Sequence, residues 1–528
     1  MKKYIILFDL KYFRFFLASA FLYLLIPLKH SQAQVDVDKL SKYIDSCRQE
    51  WSIPGMSVAI IKDDKVILLK GFGINEVGKP DSVTPKTMFG IASLTKAFTS
   101  ASIMQLSEQG KINLEDKVTQ HIPYFNMYDP WVTHEMTVRD LLCHCCGLAT
   151  FSGDLLWHST VYSREDIIRR VQFLKPVYGF RAGYGYSNLM FLTAGEMIPA
   201  ITGKSYDAYL QENFFKPLEM NSTNSSIQYM KDASKNKNVA IPHVKKGDKI
   251  IPIKYISWDN IAPAGGINSN AEDMTHWLKM LLNNGKYNGQ TILTENSLRE
   301  LWSSQNIQEV SKFDNFLFPS MHFHSYGLGW DLFDYHGRKV MNHSGGLDGM
   351  VLHLCVVPEE KLGFVILTNS SNYLPYALMY KILDEFFEKK GQDYPRVLLS
   401  YMKRKENIEM QSEIDEENAR NKKSSPSLIL EKYVGEYCGD LYGCAKVSIK
   451  NNKLFLQFEP APEFQSTLTH WQYNTFSVEF LNFPSLPKGK VNFIIDQNGN
   501  VDEFTIDVPN PDFDFTELSF KRNTSNAH

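Results

Sequence analysis

The sequence predicts an α/β domain, a mixed sheet flanked by helices with an all-helical part beside it, followed by a small all-β domain. Three observations carry this reading. Strand-rich runs stand at 55–73 and again at 326–369, with helical patterns between them, so distant segments close one sheet. At 528 residues, 43% of them hydrophobic, the chain is globular and exceeds what one core usually serves. Beyond Leu428 the texture changes to period-two alternation.

Met56–Ile61 and Lys65–Lys70 flank Asp63-Asp64, the pattern of a hairpin with a polar turn. Ser93 to Gln109 reads as an amphipathic helix, with Leu94, Phe98, Ala101, Ile103 and Leu106 as apolar positions and Gly110 as its stop. Helices are expected at Thr137–Leu142, Leu189–Ile201, Ala271–Leu282 and Pro375–Lys389. The apolar runs Val351–Val357 and Leu362–Leu367 read as strands. The charged, apolar-poor run 403–427 reads as a linker, dividing a hydrolase-sized domain, 34–402, from a β-sandwich or barrel, 428–528. In that second domain Val447 to Leu456 about Asn451-Asn452, and Phe493 to Ile506 about Asn498-Gly499, are hairpins.

The N-terminus carries Lys2, Lys3, Lys11 and Arg14 before an apolar run, Phe15–Leu28, and Ser31-Gln32-Ala33. This is a secretory signal pattern, 1–33, with cleavage after Ala33; a retained anchor is the rival, but the run is short for a span of about 20 residues. The mature protein is then periplasmic or extracellular, with no stable membrane span. Its formal charge moves from −3 to about −7, the wrong sign for a nucleic-acid partner. Three of the seven cysteines crowd into Cys143-His144-Cys145-Cys146, too close in sequence to share a tetrahedral metal, and no metal is expected. Cys438 and Cys444 can close a short loop in an oxidising compartment.

Ser93-Leu-Thr-Lys96 places a hydroxyl and an amine one helical turn apart on one face. An amine activates such a hydroxyl only if burial or a neighbouring cation lowers its pKa. The spacing recurs at Ser234/Lys237, Ser400/Lys403 and Ser485/Lys488, but in a polar loop, at the linker's edge and in a proline-broken turn; only Ser93 opens an apolar helix. There is no G-x-S-x-G elbow, and Gly203-Lys-Ser205 lacks the glycine of a phosphate loop, Ile198 standing in its place.

Two later motifs follow in order, Tyr186-Ser-Asn188 and His343-Ser-Gly345-Gly346. With Ile53-Pro-Gly-Met56, Leu141-Leu-Cys-His-Cys-Cys-Gly-Leu148, Pro263-Ala-Gly-Gly266, Tyr326-Gly-Leu-Gly-Trp330 and Leu367-Thr-Asn369, residues 38–390 resemble the penicillin-binding-protein and serine β-lactamase family. The likeness is to its class C β-lactamase and D-alanyl-D-alanine carboxypeptidase branch. The tail resembles the lipocalin-like domain of some exported relatives.

The resemblance implies Ser93 as the acylated nucleophile, Lys96 and Tyr186 sharing the proton traffic, and Asn188, His343, Ser344 and Gly345 meeting the substrate. Backbone N–H groups of Ser93 and Gly346 would form the oxyanion hole, with no cofactor. A phenol near a lysine ammonium is expected to be held partly as phenolate. Many β-lactamases have lysine where this chain has His343; a histidine only partly charged near pH 7 argues against efficient β-lactam hydrolysis. The expected substrate is a small molecule or peptide, cell-wall peptide included. A D-amino-acid peptidase leads, a small-molecule esterase or β-lactamase is the alternative, and a silent binding protein is the reading of another class.

Overall fold

In the computed structural model, residues 35–232 and 238–523 are described; the expected signal segment, 1–33, and the Ser234/Lys237 pair lie outside them. The first sheet has eight strands: β1 Gly55–Lys62, β2 Lys65–Gly73, β3 Asn306–Gln308, β4 His324–Tyr326, β5 Asp331–Tyr335, β6 Arg338–Leu347, β7 Met350–Val357 and β8 Leu362–Thr368. Their order across the sheet is β2-β1-β8-β7-β6-β5-β4-β3. The α/β class holds, but every pairing is antiparallel, so the sheet is not mixed. Short hairpins join β1 to β2 and β5 through β8, and hairpin neighbours must run antiparallel. The long-range pairing sets β1 beside β8, with Met56 opposite Thr368, and closes the N-terminal hairpin onto the C-terminal meander. At the β1–β2 turn Asp63 and Asp64 take φ of 51° and 63°, left-handed values that Asp tolerates better than most residues.

Between the two halves of the sheet lies the helical part. Helix α1 spans Val37–Glu50, and α2, Thr95–Glu108, follows a single 3₁₀ turn at Ala92–Leu94. Helix α2 is buried from Thr95 through Leu106, polar residues included, so it is a central helix and not the half-exposed one the sequence suggested. Its polar side chains are satisfied inside: Thr99 donates to the Pro263 carbonyl at 2.6 Å and Ser102 to Phe98 at 2.8 Å. Helix α3, Asn188–Thr202, and helix α4, Ala271–Leu282, complete the scaffold around it.

The C-terminal strands form a nine-stranded antiparallel sheet over Gly435–Arg522. Its two edge strands, Gln465–Thr467 and Thr469–Gln472, are consecutive in the chain, so the sheet curls into a nearly closed barrel. Phe458, Phe464, Phe480, Phe504, Phe515 and Phe520 fill its interior, each burial worth roughly 1.5–3 kcal/mol. A disulfide joins Cys438 and Cys444, which face each other across a strand pair.

The expected linker is not one. Tyr394–Ala419 is a single helix, α5, stitched by pairs such as Lys405–Glu409. Glu406 pairs with Lys245 of the hydrolase domain and Glu416 with Lys490 of the barrel, so the helix braces both. The sequence signal failed because charge poor in apolar residues also describes an exposed helix. Nor does the barrel hang free. The His158 ring packs among Phe464, Phe483 and Phe513 at 5.5, 5.2 and 4.4 Å, and Tyr162 donates to the Tyr442 carbonyl at 2.7 Å. Asp348 accepts from Ser485 at 2.8 Å and bonds His158 at 3.2 Å. Among the described residues no helix is long and apolar enough to cross a membrane.

Candidate active site

Ser93 sits in the 3₁₀ turn just ahead of α2, and Ala92 before it has φ of 47°. A non-glycine residue held there stores about 1–3 kcal/mol of backbone strain, and the turn lifts Ser93, half-buried, toward the open end of β6. Strand β6 passes hard against this turn: a Cβ on Gly345 would lie 2.6 Å from the Ile91 carbonyl oxygen. Only glycine fits at that approach. Alternation along β6 then exposes Ser344 and Gly346, and the Cβ direction of Gly346 meets open space.

Beneath Ser93 the Lys96 ammonium is fully enclosed. Its Nζ lies 3.1 Å from Ser93 Oγ, 2.7 Å from Asn188 Oδ1 and 2.9 Å from the Ala264 carbonyl oxygen. Burial pulls the pKa down to about 7, with Asp154 pulling weakly the other way. Two of the three partners, the Asn188 and Ala264 oxygens, can only accept. The neutral amine therefore spends both hydrogens on them and turns its lone pair to the Ser93 hydroxyl.

Asn188 is oriented by what lies behind it. Its Nδ2 donates to Asp154 Oδ2 at 2.6 Å, which forces Oδ1 toward Lys96. Asp154 is buried at the start of the turn Asp154–Leu156, and burial raises its pKa to about 7. Nothing in the sequence reading pointed to this residue; a lone acid before Leu-Leu-Trp157 was the available signal.

The ring of Tyr186 lies over Lys96, 4.7 Å from Nζ to centroid, and the phenol hydrogen-bonds Ser93. Burial outweighs that bond and raises the phenol above its ordinary value of 10, with Asp154 adding to the rise. The phenolate expectation is thus corrected: desolvation favours the neutral phenol of Tyr186 beside Lys96.

His343 is corrected in the same direction. It is buried, its Nε2 bonds Tyr326 Oη at 2.8 Å and its Nδ1 approaches the Ser344 carbonyl oxygen at 2.6 Å. Burial and the nearby Lys96 lower its pKa to about 4, so it is neutral at pH 7 and carries no charge for a substrate carboxylate. His144 accepts from the Ser187 N–H at 3.1 Å and packs, tilted by 35°, 4.2 Å from the Tyr186 ring. It holds the turn that presents Tyr186 and Asn188.

The Cys143 and Cys145 sulfurs lie 3.4 Å apart beside Asp140, whose two oxygens are already taken by Arg181 at 2.8 and 2.6 Å. A cavity of about 1580 Å³ opens between the domains, lined by Thr160, Tyr255 and Asp348 on one side and Phe483 and Ser485 on the other. Tyr255 reaches within 3.8 Å of a Cβ on Gly90, so the cavity adjoins the Ser93 turn without including it.

A sheet and helical part of this kind, with Ser93-x-x-Lys96, Tyr186-x-Asn188 and His343-Ser-Gly meeting between them, define the penicillin-recognising class of folds. The chain belongs to the β-lactamase family, whose model matches residues 40–383. Residues 419–522 match a domain family of unknown function, DUF3471. Similar proteins include the unguisins hydrolase ungD' of Aspergillus campestris, 30% identical over 74% of either chain. Protein flp of Staphylococcus aureus is 30% identical over 65% of this chain, which spans 64% of flp. Among solved structures, the octameric penicillin-binding protein homologue from Pyrococcus abyssi superposes with TM-score 0.60 at 23% identity, over 92% of this chain and all of that one (100%). The class C β-lactamase from Rhodobacter sphaeroides gives 0.52 at 19%, covering 66% and 99%.

Proposed function

We propose that the chain is an exported serine hydrolase that cleaves an amide or ester through an acyl-enzyme on Ser93, with D-amino-acid peptides as the leading substrate class. The observation that carries it is the Lys96 amine, held by two obligate acceptors with its third contact on Ser93 Oγ at 3.1 Å. Neutral Lys96 takes the Ser93 proton as Oγ adds to the carbonyl carbon. The Ser93 and Gly346 N–H groups hold the oxyanion, each donor worth about 3 kcal/mol of barrier. Collapse expels the amine or alcohol, protonated from Lys96 by way of Tyr186, and water then adds to the ester and restores Ser93. The name of the Aspergillus relative, a hydrolase, supports the same reaction class. The disulfide supports export.

Neutral His343 favours a second reading at the level of substrate: esters, and peptides lacking a free carboxylate at this end of the cleft. Purified protein assayed against D-alanyl peptides, their C-terminal amides, p-nitrophenyl esters and a chromogenic cephalosporin decides between them. Preference for the free-acid peptide supports a carboxypeptidase; equal or better turnover of amides and esters supports the second reading. Absence of turnover and of fluorophosphonate labelling would leave the silent binding protein.

A further inference from the structure

The chain of contacts under Ser93 does not end within the hydrolase domain. Gly153 N–H donates to Glu517 Oε2 at 2.8 Å, and the Ser152 hydroxyl donates to Glu517 Oε1. Glu517 belongs to the barrel, 364 residues from Gly153 in sequence. Residues 152 and 153 form the turn immediately before Asp154, and Gly153 takes φ of 76°, a conformation costly for other residues. From there the contacts run Asp154 to Asn188 at 2.6 Å, Asn188 to Lys96 at 2.7 Å and Lys96 to Ser93 at 3.1 Å.

Glu517 is itself firmly placed. It closes the short turn Phe515–Glu517, in which Phe515 is buried against Phe464 and Phe480 at 6.1 and 5.9 Å in the barrel core. The turn is capped by Asp514, which accepts from Thr516 at 2.9 Å. A carboxylate on a rigid support grips two donors of the turn that carries Asp154, the acid behind the Lys96 amine.

We infer that Glu517 of the C-terminal barrel is a positioning residue for Lys96, acting through the Ser152–Gly153 turn, Asp154 and Asn188, so that the barrel completes the active site. This rests on the reading of Ser93 as nucleophile and Lys96 as base. The groups facing Lys96 are Asp154, the Tyr186 ring, His144 and His343; those facing Asp154 are Lys96, Asn188, Trp157 and Glu517; Glu517 faces Ser152, Gly153 and Asp514. The Glu517 charge disfavours ionisation of Asp154, and ionised Asp154 favours the protonated lysine. Removing the Glu517 charge therefore makes Asp154 more acidic and Lys96 more basic. The acid limb of activity, where Lys96 must lose its proton, moves to higher pH.

The test compares full-length wild type, Glu517→Gln, Glu517→Ala and Ser152→Ala by the rate of fluorophosphonate labelling at Ser93 from pH 5 to 9, with melting temperature read alongside. Expected is a rate at pH 7 lower on the order of tenfold in both Glu517 variants, with the acid limb displaced upward most clearly in Glu517→Gln. Ser152→Ala should lower the rate less and leave the limb in place, because the charge remains. The near-isosteric Gln variant carries the test if the Ala variant fails to fold. Labelling rates and limb unchanged in Glu517→Gln overturn the inference while leaving Ser93 as nucleophile. A lowered melting temperature with an unmoved limb also overturns it, reducing Glu517 to a domain contact. A wild type that does not label at Ser93 overturns the hydrolase reading and this inference with it.

Discussion

Lys96 on helix α2 and His343 on strand β6 both belong to the candidate site around Ser93, and both are nitrogen bases buried away from water. Burial lowers both pKa values, yet with opposite consequences. Lys96 begins at 10.5 and is brought to about 7, which puts its neutral amine within reach near neutral pH. His343 begins at 6.5 and is brought to about 4, where it is neutral throughout and serves as a hydrogen-bond partner of Tyr326. The same desolvation makes a base of one and silences the other. The site's electrostatics therefore lie on the α2 side, backed by Asn188, Asp154 and Glu517, and not on the β6 side where a lysine stands in many β-lactamases.

The largest break in that comparison is removal of the α2 pair itself. Ser93→Ala should abolish turnover and covalent labelling, and Lys96→Ala should cost several orders of magnitude in kcat with the fold retained; the two losses should not add, because the groups act as a unit. Labelling that survives Ser93→Ala and maps to another serine removes the assignment.

A chain ending near Lys405 loses Glu517 from the α2 side only, and it also uncovers Trp157 and His158. We expect lower solubility and a lower melting temperature, with Ser93 labelling reduced in whatever fraction folds. A truncated protein as stable and reactive as the full chain shows that the two sides are independent of the barrel.

Smaller again is Asp154→Asn. It should lower kcat/KM on the order of 10–100-fold through misplaced Asn188. It also removes the charge that favours protonated Lys96, so the acid limb should move to lower pH, opposite in sign to Glu517→Gln. A limb that stays put means that Asp154 acts by packing alone.

On the β6 side the expected effect on activity is close to none. With His343 neutral, D-alanyl peptides and p-nitrophenyl esters should show the same pH dependence of kcat/KM between pH 5.5 and about 7.5. A fall with rising pH for the acid peptide alone would mean that His343 is charged and reads the substrate carboxylate. Stability is where these histidines register. His144, His343 and His353 all have lowered pKa values, so at these three sites the unfolded chain binds more protons than the folded one below about 6.5. As pH drops from about 6.5 toward 4, His343→Gln should lose less melting temperature than the wild type, because it lacks one of these sites.

The sequence by itself determined the three motifs, their order, the helices at Leu189–Ile201 and Ala271–Leu282, to within a residue at each end, and the hairpins of both domains. These are local: a helical turn fixes which residues share a face, and period two fixes which alternate. It located Ser93 and Lys96 because, of the four pairs with that spacing, only this one opens an apolar helix and is followed in order by the two later motifs. Tertiary structure decided what no local pattern contains. The direction of the strands followed from hairpin connections and the closure of β1 on β8. His343 is neutral because other segments exclude water from it. Asp154 and Glu517 acquired a bearing on the site only when the barrel docked beside the turn before Asp154, because the pKa of a buried group is set by what surrounds it in space and not by its neighbours in the chain.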